Sequence, residues 1–264
     1  MKVLQARSPT GEMPFLDHLE ELRWRIIWSL VAVVSGAVIG FVFVYYLPVL
    51  DWLSQPIQPF LNGEKLMVLT PAGSFMITVK LGLWVGIILA APVVIYQVWA
   101  FVSPALLPHE KRAIVPALYF GLLLFAAGVA LAYFFVLPLS LRFLASFQVD
   151  ALEYNIVATE YLSFVVQMLL AFGLMFELPI VILVLAVLGI VNSKMLASGR
   201  RYALVLITIG ACVVTPGDVS SSIFLMLPLL LLYEVSIWLA RMIERRRAAA
   251  AAEDAWSEAS WAAE

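Results

Sequence analysis

Six long apolar runs constrain the fold more than any other feature of this sequence. They lie at about residues 26–47, 75–98, 114–137, 161–190, 202–214 and 223–240. About 20 helical residues cross the ~30 Å hydrocarbon layer of a bilayer. Because 64% of the chain is hydrophobic and only 13% is charged, a soluble domain could not shield so much apolar surface from water. The sequence therefore predicts an all-α, polytopic membrane protein with six transmembrane helices.

The apolar runs differ in length. The fourth run has about 30 residues and must tilt, kink or project beyond the hydrocarbon layer, whereas the fifth has about 13 residues and reaches only ~20 Å. We therefore predict short fifth and sixth helices that lie where the membrane is thinned or where other helices shelter their ends. No internal repeat is evident, and the uneven lengths argue against an inverted duplication of the common transporter type.

The positive charges are distributed asymmetrically. Thirteen of the 16 lysines and arginines flank the N-terminus, the second and fourth links and the C-terminal end. Because cytoplasmic loops carry the excess of Lys and Arg, we predict a multi-pass membrane protein with both termini in the cytoplasm. Its predicted divisions are an amphipathic cytoplasmic segment at 1–25, a six-span domain at 26–240 and a basic, then flexible, cytoplasmic tail at 241–264.

Signatures of catalysis and metal binding are absent from the sequence. The chain has no HExxH, GxSxG, Walker lysine loop or GxGxxG pattern, and its few candidate metal ligands include His18, His109 and the single cysteine, Cys212. A lone cysteine excludes an intrachain disulfide framework, and no nucleophile and base are paired. We therefore predict that the chain is not an enzyme and holds no metal or cofactor. A membrane-embedded enzyme, one alternative, would need a nucleophile that the sequence does not display.

Two carboxylates lie in predicted cytoplasmic segments. The segment FLDHLEELRWR has apolar residues at helical spacing, which predicts an amphipathic helix that lies along the interface before turning into the bilayer. It contains Glu21, four residues before Arg25, and the link FVSPALLPHEKR contains Glu110. These acids either pair with neighbouring arginines on a helix surface or receive guanidinium groups from a partner in a two-pronged contact. The spacing leaves both interpretations open.

The apolar runs also contain polar groups. Glu177 lies near the middle of the fourth run, where a charge costs at least ~2.5–3.5 kcal/mol, and Pro179 predicts a kink that frees the carbonyl of Met175. Glu177 either packs against other helices, contacts a partner helix or takes part in a proton-linked step. A proton-coupled secondary transporter using Glu177 and Glu234 is therefore an alternative function. Gln97 could attract polar side chains of a partner.

The outer loops carry two further predicted features. The first loop contains DWLSQPIQPFLNGEK, in which apolar residues alternate with prolines, and we expect a short helix on the outer interface. The fifth loop is the turn TPGDVS, where Pro216 and Gly217 indicate a tight turn and Asp218 is placed to cap the next helix.

Four motifs, in order, resemble one family. The motifs are FLDHLEELRWRI, APVVIYQVWAFVSPALLPHEKR, YLSFVVQMLLAFGLMFELPIVI and TPGDVSS with a following LP, and the resemblance that they carry runs over about residues 13 to 247. Together they resemble the TatC family, the multispanning receptor subunit of the twin-arginine protein-translocation system. The resemblance implies a six-helix, cupped bundle that binds the twin-arginine signal peptides of folded precursors at its cytoplasmic face, without covalent chemistry.

The resemblance also implies roles for individual residues. Glu21 and Glu110 match the carboxylates that contact the paired arginines, Phe101 matches a residue of the same site, and Arg23 matches a supporting residue. The remaining matched positions are Glu177, an acid of the concave face, Tyr133, a tyrosine of the third span, and Asp218, a functionally sensitive acid of the outer turn.

The resemblance implies partners as well. Single-span subunits of the TatA and TatB type and the apolar segment of the signal are expected on the concave face, in an oligomeric complex within the lipid bilayer. The proton-motive force would supply the energy. Leu107 stands where many relatives have tyrosine, which weakens any role for a hydroxyl group there.

Overall fold

The computed structural model describes residues 15–61, 63–102, 114–146, 155–187, 189–214 and 219–261. Within these ranges the chain is helical, with no strand and a single isolated bridge between Met67 and Val157. The predicted all-α class is confirmed. The α-helices are α1 (Phe15–Tyr46), α2 (Val49–Ser54), α3 (Gly73–Val102), α4 (Ile114–Leu131), α5 (Leu137–Ala145), α6 (Ala158–Met175), α7 (Leu178–Val187), α8 (Ser193–Ser198), α9 (Arg200–Val214) and α10 (Val219–Trp261).

Five helical segments in the described ranges are long and apolar enough to cross a membrane. They are Asp17–Tyr46, Gly73–Phe101, Tyr119–Ala145, Ala158–Val187 and Met226–Arg245. The predicted short fifth helix is confirmed, because α9 has 15 residues and reaches only about 22 Å. Whether α9 makes a sixth crossing, and on which side the termini lie, stay predictions.

The predicted short sixth helix is wrong. Helix α10 has 43 residues and continues through the predicted tail segment as far as Trp261. The apolar stretch near Ala240 ends at Arg241, but arginine, glutamate and alanine are all good helix formers. Loss of hydrophobicity at this point therefore does not end the helix.

The predicted turn in the N-terminal segment is also wrong. Helix α1 is continuous over 32 residues, so the amphipathic part and the membrane span share one axis. No glycine or proline occurs between Phe15 and Ser35, and nothing in the backbone chemistry would end the helix there.

The fourth apolar run is interrupted, as predicted from Pro179. Helix α6 ends at Met175, a turn occupies Phe176 and Glu177, and α7 begins at Leu178. Proline has no amide hydrogen to donate to the carbonyl four residues earlier. The interruption places Glu177 in the turn between two helices of one membrane span.

Glycines bring α1 and α3 into close contact. Gly36 and Gly40 of α1 face Gly82 and Gly86 of α3, and a Cβ atom on Gly36 would lie 2.5 Å from the carbonyl oxygen of Gly86. A Cβ atom on Gly82 would lie 2.7 Å from the Cα atom of Phe41. Each pair has the small-xxx-small spacing that lets helix backbones approach in lipid. The contact aligns the start of α1 with the end of α3.

Two tyrosines hold the loop between α1 and α3 at the opposite end of the bundle. The loop forms α2 and a 3₁₀ helix (Gln55–Phe60), which confirms the predicted short helix. Tyr133 donates a hydrogen bond to the Trp52 carbonyl at 2.6 Å and Tyr161 donates to the Leu53 carbonyl at 2.7 Å. Pro56 has no amide hydrogen and therefore cannot donate a helical hydrogen bond to either carbonyl. The tyrosine hydroxyl groups donate in its place.

Helix α10 is tied to the segment that follows α7. The Arg200 guanidinium pairs with the Glu234 carboxylate at 2.7 Å, and Tyr233 donates a hydrogen bond to the Leu196 carbonyl at 2.9 Å. Glu244 accepts hydrogen bonds from both the backbone and the hydroxyl group of Ser193. These contacts fix α8 and the start of α9 against α10.

Substituting Gly86 with alanine tests the close contact between α1 and α3. The added methyl group would meet the backbone of Ala37, so we expect Gly86→Ala to lower the free energy of unfolding by about 1–3 kcal/mol, as overpacking does. Thermal unfolding of the purified protein in detergent, followed by tryptophan fluorescence, measures the change.

The control is Gly210→Ala in α9, where the new methyl group meets only the flexible end of Met175 at 3.3 Å. Because alanine favours a helix over glycine, this variant should keep or slightly raise the unfolding temperature. Equal unfolding temperatures for Gly86→Ala and the unchanged protein would show that the glycine contact is dispensable.

Candidate functional site

The start of α1 and the end of α3 form a polar cluster at the N-terminal end of the bundle. Arg25 donates to a carboxylate oxygen of Glu21, Oε1, at 3.0 Å, and its second nitrogen donates to the amide oxygen of Gln97 at 3.1 Å. One guanidinium group therefore joins an acid on α1 to an amide on α3. The predicted pairing of Glu21 with Arg25 is confirmed, and Gln97 belongs to this cluster.

An aromatic stack lies beside the same cluster. The rings of His18 and Phe101 are parallel, with centroids 4.4 Å apart and an interplanar angle of 14°. His18 Nδ1 lies 4.0 Å from the second carboxylate oxygen of Glu21, Oε2, which is beyond hydrogen-bond distance. Among the described residues this buried oxygen has no hydrogen-bond donor. His18 thus lies between Glu21 of α1 and Phe101 of α3, two residues that the resemblance assigns to one site.

Of the other predicted site residues, Arg23 lies away from this cluster, and Glu110 and Asp218 are outside the described residues. Arg23 is exposed on α1 and, two residues from Glu21, lies on a different face of the helix. Glu110 falls in 103–113 and Asp218 in 215–218, both outside the described residues. A common hollow shared by Glu21 and Glu110 stays a prediction.

A second candidate site surrounds Glu177. A groove of about 320 Å³ lies between α3 and the α6–α7 turn, and its lining is apolar except for Glu177. The Glu177 Oε1 atom is buried and has no donor among the described residues. Gly121 of α4 faces the carboxylate, since a Cβ atom there would lie 3.1 Å from its other oxygen. Among the described residues the Oε1 atom of Glu177 is therefore unpaired, beside a groove that could hold an apolar segment.

A larger groove continues along the same face of α3. Its volume is about 640 Å³, and it lies between α2, α3, α4 and α6. Its lining residues Ile88 and Pro92 are followed along α3 by Ile95 and Trp99 of the Glu177 groove. Intervals of three and four residues keep all four on one helix face. The two grooves thus follow one face of α3 from the N-terminal end towards the opposite end.

Tyr133 lies at the wall of the larger groove. It belongs to a single π-helical turn, Ala132–Val136, between α4 and α5, and its hydroxyl group is engaged by the Trp52 carbonyl. The ring, not the hydroxyl group, is therefore what Tyr133 presents to an occupant. Within the described ranges no three His, Cys, Asp or Glu side chains lie together in a way that could hold a metal ion.

Comparison with known proteins identifies the family. The family model "Sec-independent protein translocase protein (TatC)" matches residues 17–228. The chain belongs to the TatC family. The TatC protein of Aquifex aeolicus is 42% identical over 238 residues, covering 89% of this chain and 98% of that protein. The TatC protein of Escherichia coli K12 is 37% identical over 236 residues, covering 89% of this chain and 90% of that protein.

A solved structure of the family agrees with the fold. A crystal structure described as the twin arginine translocase receptor TatC matches with a TM-score of 0.77 and 42% identity, covering 85% of this chain and 98% of that one. The resemblance found in the four motifs is confirmed. The chain is thus a multi-pass membrane protein of the Sec-independent protein translocase, with a role in protein transport.

Several contacts of the candidate site were not predicted from the sequence. Neither the stack of His18 on Phe101 nor the bond from Arg25 to Gln97 has a local signal, because each depends on how α1 and α3 are aligned. The glycines that set this alignment do have a signal. A G-x-x-x-G pattern occurs in both helices, and this pattern is typical of close helix packing in membranes.

Proposed function

We propose that the chain is the receptor of the twin-arginine translocase and binds paired-arginine signal peptides of folded precursors at the N-terminal end of its bundle. The observation that carries the proposal is the Glu21 carboxylate, whose buried Oε2 atom has no donor among the described residues. The related solved structure, described as a twin arginine translocase receptor, supports the same function.

The chemistry of Glu21 suits a guanidinium ligand. Leaving a buried acceptor unpaired is costly, and a hydrogen bond to a charged group contributes about 1.5–3 kcal/mol. A guanidinium group matches a carboxylate with two parallel hydrogen bonds, which an ammonium group cannot do. An arginine of the signal would therefore satisfy the Glu21 oxygen that has no donor among the described residues.

Glu110 is proposed as the second carboxylate and Arg23 as a supporting residue. Phe101 is proposed to contact the signal from the wall of the same site. In this proposal the N-terminal end of the bundle faces the cytoplasm of a prokaryotic cell, as the distribution of lysines and arginines predicts. Asp218 is proposed as a functionally sensitive residue of the outer turn.

The two grooves are proposed to receive apolar helices. Both are lined mainly by apolar side chains, and the Glu177 groove reaches Val98 and Trp99 of α3, close to the Glu21 cluster. The apolar segment of a signal peptide and single-span subunits of the TatA and TatB type are the proposed occupants. In hydrocarbon, a polar side chain of such a helix would find an unpaired acceptor at Glu177. The proton-motive force is proposed to supply the energy.

Removing the charge of Glu21 tests the proposed receptor site. We expect Glu21→Gln to weaken binding of an Arg-Arg signal peptide at least about tenfold, because a charged acceptor is lost. Binding of a fluorescent signal peptide to the purified full-length protein measures the change. The control is Glu20→Gln, an exposed acid on the same helical turn, which should change affinity less than twofold; unchanged binding by Glu21→Gln would remove Glu21 from the site.

Crosslinking from position 110 tests the second carboxylate. A photoreactive amino acid placed at position 110 should crosslink to a precursor with an Arg-Arg signal and much less to the matched Lys-Lys precursor. The control position is Ser146, an exposed residue at the opposite end of the bundle, where neither precursor should crosslink. Equal crosslinking of both precursors at position 110 would count against arginine recognition there.

Replacing Glu177 tests the groove as a partner site. Glu177→Leu should reduce the amount of single-span subunit that copurifies with the chain, whereas Glu177→Gln should retain more of it, because the amide still forms hydrogen bonds. Gln167→Leu is the control, since Gln167 is an exposed polar residue of the same span that does not line the groove. Full copurification with Glu177→Leu would contradict the proposal.

A further inference from the structure

Arg25 occupies the carboxylate that is proposed to receive the signal. Its guanidinium group contacts the Oε1 atom of Glu21 with one nitrogen and the side-chain oxygen of Gln97 with another. The side chain of Arg25 is 30% exposed and that of Glu21 is 19% exposed. The contact is therefore more enclosed than an ion pair on an open helix surface, and Arg25 already has a second acceptor on α3.

A two-pronged contact from the signal would need both oxygens of Glu21. The Oε2 atom lacks a donor among the described residues, but Oε1 is bound to Arg25. Each carboxylate oxygen can accept more than one hydrogen bond, but a ligand guanidinium group on both oxygens would lie beside the like-charged guanidinium group of Arg25, so the two groups compete for Oε1. Gln97 can hold the displaced guanidinium group, because it already accepts a hydrogen bond from Arg25.

We propose that Arg25 is an exchangeable internal ligand of Glu21: an arginine of the signal replaces it on the carboxylate, and Gln97 retains it on α3. This inference rests on the proposed function and assigns Arg25 and Gln97 as positioning residues of the receptor site. In the absence of a signal, Arg25 neutralises the enclosed carboxylate. When the signal binds, Arg25 loses its contact with Glu21 and keeps its hydrogen bond to Gln97 of α3.

Arginine and lysine ligands should respond differently to this exchange. A guanidinium group that forks onto Glu21 competes with Arg25 for Oε1, whereas an ammonium group is a point charge that can contact Oε2 alone. Removing Arg25 takes away a positive charge, which should raise the affinity for both ligands equally. Only the arginine ligand also gains from the loss of a competitor for the Oε1 atom of Glu21.

The test compares two signal peptides on the full-length protein. We expect Arg25→Met to tighten binding of an Arg-Arg peptide about threefold more than binding of the matched Lys-Lys peptide, the factor expected for an ion pair of this kind. Arg201→Met, which removes an exposed charge at the start of α9, should change the affinities of both peptides equally. Arg25→Lys, which keeps the charge but not the planar fork, should give a smaller gain and serves if Arg25→Met folds poorly.

A double-mutant cycle tests the role of Gln97. Gln97→Leu should weaken Arg-Arg binding while Arg25 is present, because the displaced guanidinium group then has no acceptor. The same substitution should have no effect in the Arg25→Met protein, so the two changes should not be additive. An equal effect of Gln97→Leu in both backgrounds would overturn its assignment as the acceptor.

The outcomes separate this inference from the proposed function. If Glu21→Gln weakens Arg-Arg binding but Arg25→Met changes both peptides equally, or weakens Arg-Arg binding, the exchange is wrong and the receptor site stands. If Glu21→Gln leaves Arg-Arg binding unchanged, the receptor site itself is wrong, whatever Arg25→Met does.

Discussion

Close backbone contact between α1 and α3 is the constraint on which the candidate site depends. Helices in lipid gain little from burying apolar surface against one another, so association relies on tight packing and hydrogen bonds. Here the glycines of both helices let the backbones approach until no Cβ atom would fit between them. This approach sets the relative height of the two helices, and only at that height do Glu21, Arg25 and Gln97 meet.

The remaining polar contacts follow a common rule with three exceptions among the described residues. In a bilayer each backbone group must find a partner within the protein, and tyrosine hydroxyls accordingly donate to two carbonyls to which Pro56 cannot donate. One exception is the hydroxyl group of Ser140, and the other two are carboxylates. Glu21 and Glu177 each keep one buried oxygen without a donor among the described residues, and each lies beside a surface that a second molecule could cover. Packing alone does not account for an acid in either position.

Local chemistry predicted much of this fold, and its failures have a physical pattern. Hydropathy located the membrane helices, Pro179 predicted the interruption before α7, and the short apolar run predicted the short α9. The predictions of a turn in α1 and of a short sixth helix were wrong. An apolar run ends at the first charged residues, whereas a helix ends only where the backbone is obstructed. The contacts of Arg25 with Gln97 and of His18 with Phe101 depend on helix alignment, which no single segment encodes.

The length of α10 has a mechanical consequence. The candidate membrane-spanning segment of α10 ends at Arg245 and the helix continues to Trp261, so about 24 Å of helix extends past that segment. Such an extension acts as a lever arm: a change of about 10° in the tilt of α10 would displace its far end by roughly 4 Å relative to Arg245. Small reorientations among the packed helices would thereby be amplified at the C-terminal end of the chain.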